Sequence, residues 1–160
     1  MRSHSARLAL LVGSVLCLGL PVEAQSAREL QLQGVGTFAS TQFLGGGLGF
    51  ALRSQGRIRA GVSVSAGDLS RRPEGGERVH TFGGRFELMA SYHVNPYKRS
   101  GLTPYAGGGI AVAATSDEMF EYVLLVIGVE TGPGSRSGWF AEVGIGGGAR
   151  VSAGFRLRWR

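Results

Sequence analysis

Two histidines outside the first 25 residues can act as bases: His80 and His93. His93 stands in "SYHVNP", two residues after Ser91, and on a strand that spacing puts both side chains on one face. His80 follows a polar stretch that contains Ser70. A serine, a histidine and an acid are the parts of a nucleophile, its base and an orienting carboxylate. Separately, Glu87, Glu130 and Glu142 could supply a proton-exchanging or acid/base pair. The plainer reading makes both histidines rim-facing polar residues. It makes the three glutamates partners for buried arginines, because a charge removed from water needs a counter-charge. We adopt that reading and expect no enzyme.

Other chemistry is weaker still. Cys17 is the only cysteine, and the histidines lack metal-ligand spacing, so no metal or cofactor is expected. The glycine-rich "GGGLGF" (45–50) and "GPGSRSG" (132–138) lack a following Lys-Ser or Lys-Thr and open no helix. They read as close-packed strand and turn, not as phosphate loops.

The elements that hold these residues repeat every ten or so positions. Apolar and polar residues alternate with period two, the mark of strands with unlike faces. Eight runs follow from this: 29–39, 42–53, 57–66, 78–94, 103–114, 120–131, 138–147 and 149–160. The last alternates Val151, Ala153, Phe155, Leu157 and Trp159 with Arg150, Ser152, Gly154, Arg156, Arg158 and Arg160. In 103–114 both faces are small or apolar, and the phase stays open. In 120–131 Glu130 suggests Val123, Leu125, Ile127 and Val129 as the apolar face. Short connections between an even number of antiparallel runs predict an up-and-down barrel, which leaves no sheet edge exposed.

Alternation alone does not say which face is inside. A soluble carrier barrel is apolar within; a membrane barrel is apolar without. Three features favour the membrane form. Small residues (Gly61, Gly83, Gly144, Gly154) share the polar face with long charged ones, as a narrow eight-stranded interior requires. That face carries both signs: Arg59, Arg85, Arg150 and Arg156 against Glu87, Glu130 and Glu142, a network that would plug the lumen. The aromatics also sort by end. With the amino terminus at the periplasmic side, Tyr92, Trp139 and Trp159 fall at one rim and Phe38, Phe43, Phe82 and Phe120 near the other. Two aromatic girdles flanking an aliphatic band suit a bilayer.

The first 24 residues read as a signal peptide. Arg2 and Arg7 precede the apolar run Leu8 to Leu20, with Val22 and Ala24 before the expected cut. Residues 25–160 are then one barrel domain, exported and without cysteine. The formal net charge of +6 does not point to nucleic acid, because the arginines alternate along strands instead of clustering. The stretch 68–78, with Arg71, Arg72 and Arg78, is expected to be an extracellular loop; a plain solvated loop is the favoured reading, and contact with lipid-A phosphates or a host or phage surface the alternative.

With its leader, eight strands, "TPYAGGGIAVA", "IGVET", "GWFAEVGIG" and closing "SAGFRLRWR", the chain resembles the small outer-membrane β-barrel domain family of Gram-negative bacteria. The resemblance implies an all-β, eight-stranded antiparallel transmembrane barrel in the outer membrane. It implies contact with outer-membrane lipid, lipopolysaccharide and the barrel insertion machinery, and a monomer. The final strand of that family usually ends on an aromatic residue; here Trp159 precedes Arg160. Some small outer-membrane barrels modify lipid A with a histidine placed two residues before a serine, an order absent here. The expected role is therefore structural or surface-interacting. A soluble periplasmic ligand-binding barrel is the alternative, and a lipid-A-modifying enzyme the third possibility.

Overall fold

The structure, a computed structural model, describes residues 27–53, 56–72 and 76–159. The expected signal peptide and Arg160 lie outside the described residues. Eight strands follow in order: β1 (Ala27–Phe38), β2 (Thr41–Arg53), β3 (Ile58–Arg71), β4 (Val79–His93), β5 (Leu102–Ala114), β6 (Met119–Thr131), β7 (Ser137–Ile145) and β8 (Ala149–Trp159). Each pairs antiparallel with the next, and β8 pairs with β1, closing the barrel. Closure sets Leu32 opposite Phe155 and Glu29 opposite Arg158. Both ends of the described chain lie at one rim, called here the terminal end; the opposite rim is the far end.

β3 runs further than its apolar alternation suggests. Asp68 through Arg71 pair with Phe82 through Val79, so the first four residues of the expected loop belong to the sheet. The ladder is held by backbone groups and does not need an apolar face to continue. Gly132, Gly147 and Gly148 take positive φ in the turns after β6 and β7, where a side chain would be strained.

The alternation resolves into two surfaces. Leu32, Leu44, Leu48, Val64, Val123, Ile127 and Val151 stand on the outer wall, with Val123 69% exposed. Arg59, Arg85, Glu87, Glu130, Glu142, Arg150 and Arg156 are buried inside. β5 turns Thr103, Tyr105, Ala111 and Ala113 inward and Ile110 outward. β6 turns Leu124, Val126 and Glu130 inward and Val123, Leu125 and Ile127 outward.

Two aromatic residues differ from the girdle expected of them. Phe43 shares its phase with Ala51 and Arg53, opposite to Leu44, and is buried inside the barrel. Phe120 lies on the inward phase of β6, stacked on Tyr122 with ring centroids 6.5 Å apart. One position along a strand reverses the face, so neither can join its neighbours on the wall. Phe43 packs with Val35, Leu69 and Ala113, and Tyr122 lies against them. This apolar layer lies inside the barrel toward the far end, with the Arg85 guanidinium 5.9 Å from the centre of the Tyr122 ring. Phe38, Phe82, Tyr92, Trp139 and Trp159 do face outward.

Candidate functional site

Nearly every strand contributes to one ionic layer near the terminal end. β1 brings Glu29, β2 Arg53, β3 Arg59, β4 Ser91 and His93, β5 Tyr105, β6 Glu130 and β8 Arg156 and Arg158. Glu130 is its hub. Its carboxylate lies 2.7 Å from Arg156 Nη1, 2.8 Å from Arg158 Nη2 and 3.1 Å from Arg53 Nη2. Glu29 is a second acceptor, 3.1 Å from Arg53 Nη2 and 3.2 Å from Arg59 Nε. The Arg156 guanidinium also lies over the Phe140 ring at 4.0 Å and the Tyr105 ring at 5.1 Å. Room for those rings comes from glycine: a Cβ on Gly154 would stand 2.9 Å from Phe140 Cε1, and one on Gly128 2.6 Å from Tyr105 Cζ.

A second layer sits above it. Glu87 Oε1 lies 2.7 Å from Arg85 Nε, and Glu87 Oε2 lies 2.8 Å from Arg150 Nη2. Glu142 joins the layers, with Oε2 2.9 Å from Arg150 Nη1 and Oε1 3.2 Å from Arg156 Nη2. Tyr105 donates its hydroxyl to Glu142 Oε1 at 2.8 Å. Arg59, Arg150, Glu87, Glu142 and two glutamines, Gln31 and Gln33, border an interior cavity of about 20 Å³. That volume suits roughly one water molecule.

All seven charged residues singled out from the sequence therefore share one interior network. Glu29, Arg53, Arg158 and His93 belong to it as well. Glu29 was legible from its phase, because it alternates with Gln31 and Gln33 on the polar face of β1. Arg53 was not. It ends a glycine-rich strand with no other inward charge, and its reach across the barrel follows only from closure. There Arg53 Nη1 donates to the Pro96 carbonyl at 3.2 Å and the Pro133 carbonyl at 3.4 Å, tying two terminal-end loops to the network.

The serine–histidine pair takes on a suggestive geometry. Ser91 Oγ lies 3.1 Å from His93 Nε2, and His93 Nδ1 lies 2.7 Å from Glu130 Oε1. These are the contacts of a nucleophile, base and acid. Access is what is missing. His93 and Glu130 have no exposed surface, and Ser91 has 3%. Flanking backbone groups of β4 pair with β3 and β5, which leaves no oxyanion donors aimed at a substrate. Glu130 is moreover shared among three guanidinium groups. His93 stacks on Tyr105 with centroids 4.6 Å apart, as a packed core residue does. His80 is elsewhere: it is exposed at the far end, with Nδ1 2.8 Å from Asp68 Oδ2. Ser70, its cross-strand neighbour, accepts from Arg78.

The three arginines expected in one surface loop divide. Arg71 belongs to β3 and forms an exposed pair with Glu118 at 3.1 Å. Arg78 is half-buried and donates to Gln42 and Ser70. Arg72 is exposed.

Fold and interior together define a closed eight-stranded antiparallel β-barrel, ionic within and apolar without. Its strand layout is similar to the crystal structure of the N-terminal β-barrel domain of OprF from Pseudomonas aeruginosa, with a TM-score of 0.56 and 18% sequence identity. That match covers 84% of this chain and the whole of the OprF domain, and it concerns the fold alone. No family model and no curated protein sequence matches the chain.

Proposed function

We propose that this protein is a small outer-membrane β-barrel whose lumen is plugged by its own ion network. Its role is structural or surface-interacting, not enzymatic. The observation that carries this reading is the inversion of the two surfaces: Leu32, Val123 and Ile127 stand out on the wall while Arg156 and Glu130 have no exposed surface. Water would penalise such a wall, and a bilayer would cover it. A soluble ligand carrier needs the reverse arrangement, an apolar interior with room for a ligand. The interior here buries charged side chains such as Arg156, Glu130, Arg150 and Glu142 alongside a smaller apolar layer, which supports the plugged reading. The likeness to the OprF barrel domain supports the architecture, and the outward Tyr92, Trp139 and Trp159 near the terminal end suit a lipid–water interface.

The test is to run the outer-membrane fraction on a gel, unheated and boiled. A mobility shift on boiling is the expected result. Recovery in the soluble periplasmic fraction without a shift would overturn the membrane reading.

A further inference from the structure

The exposed acids are sorted by end, whereas exposed cations occur at both, Arg71 and Arg72 being at the far end. Among the described residues, exposed Asp and Glu are found only toward the far end: Asp68, Glu77, Asp117, Glu118 and Glu121. The terminal end exposes Arg28, Arg57, Lys98, Arg99 and Arg136. Its acids, Glu29 and Glu130, are buried in the ion network and unavailable to these cations. The side chains of Arg28, Arg99 and Arg136 make no ion pair or hydrogen bond among the described residues.

The cations also sit where a headgroup would be. Arg28 is on the outer wall, paired across the sheet with Trp159. Arg57 donates to the Tyr92 hydroxyl at 2.8 Å. Both aromatic rings belong to the terminal-end girdle. Beside that girdle the wall carries an apolar groove of about 530 Å³, with Tyr92, Val94, Ile127, Val129 and Val143 along it and the small Ala106 and Ala141 in its floor. The β4–β5 loop beyond the groove carries Lys98 and Arg99, and the β6–β7 loop carries Arg136.

We infer that the terminal end is a docking surface for anionic phospholipid, with phosphates on the rim cations and an acyl chain in the groove. The inference rests on the membrane-barrel reading. The occupant follows from charge complementarity joined to an apolar groove on the β4–β7 face: a free anion would use the rim cations and leave the groove empty, and a zwitterionic lipid would use the groove and gain little from the cations beside it, Arg57, Lys98, Arg99 and Arg136. Rim cations attract anionic headgroups within about a Debye length, so the preference must weaken with salt.

The test reconstitutes the full chain in phosphatidylcholine vesicles and reads the association of spin-labelled phosphatidylglycerol against spin-labelled phosphatidylcholine. The wild type is expected to prefer phosphatidylglycerol by at least about threefold. In the triple variant Arg28→Gln, Arg99→Gln, Arg136→Gln, and in about 0.5 M salt, the ratio should fall toward one. A ratio near one for the wild type, or one unchanged by the substitutions, would overturn the inference. So would a wild type that ignores anionic lipid but sediments with purified cell-wall polymer. The gel mobility shift is read on the same vesicles: its absence defeats the barrel reading, whereas a shift without lipid preference defeats only the docking surface.

Discussion

Arg156, from the last strand, holds Glu130, from the sixth, at 2.7 Å with neither side chain exposed. Glu130 also neutralises Arg53 and Arg158. Glu130→Gln keeps the shape and removes the charge that all three share. Breaking a buried network in this way costs about 3–5 kcal/mol. The urea midpoint of the gel-shifting species in detergent should drop accordingly, and Glu118→Gln, at an exposed pair, should leave it within about 0.5 kcal/mol.

Overpacking tests the interior from the other side. Gly154→Val would place a side chain against Phe140 and the Leu32 carbonyl. A loss of about 1–3 kcal/mol is expected in the same urea titration. An unchanged midpoint would mean that the interior has room to spare.

A plugged lumen predicts a quiet membrane. In planar bilayers the wild type should give no persistent conductance steps. The double variant Glu87→Gly, Arg150→Gly removes a pair from the middle layer and should open measurable, anion-preferring conductance, because the remaining interior arginines outnumber the glutamates. Large steps from the wild type would contradict the plug.

The buried Ser91–His93–Glu130 chain should do no chemistry. The mass spectrum of lipid A from cells expressing Ser91→Ala, His93→Ala or His80→Ala should match that from cells expressing the wild type. A mass difference that appears with the wild type and disappears in Ser91→Ala would instead establish a lipid-modifying enzyme.

The segment joining β3 to β4 should be reachable in intact cells. A glutamate-specific protease added outside is expected to cut after Glu77, which is exposed, whereas trypsin should spare the Arg72–Pro73 bond. A chain left whole on intact cells but cut after lysis would place this rim on the wrong side of the membrane.

Period two carried most of the architecture, since the apolar face of most strands could be read directly from residues such as Leu44, Leu48 and Phe50; in 103–114, where both faces are small or apolar, it could not. It failed where aromatic character was allowed to outvote phase: Phe43 and Phe120 are one position out of step with the wall. The seven interior charges were legible because polar residues on one face of a closed barrel must converge. Their pairing was not. That Glu130 rather than Glu87 gathers Arg53, Arg156 and Arg158 depends on how far each strand has risen when the sheet closes, which alternation does not encode. His93 reads as a rim residue because it stands next to a turn; on the inward face of β4 it stacks on Tyr105 and meets Glu130, and it is buried there.

Glu29 and Arg158 face each other across the seam between the first strand and the last, with Arg158 Nε 3.5 Å from Glu29 Oε2. A growing sheet that stops at six or seven strands holds Glu29, Glu130 and Arg53 without the guanidinium groups of Arg156 and Arg158. In a medium of low dielectric constant such an intermediate is strongly disfavoured. Assembly should therefore be nearly all-or-none, with the carboxy-terminal strand acting as the latch and truncation before Arg156 leaving no stable partial barrel.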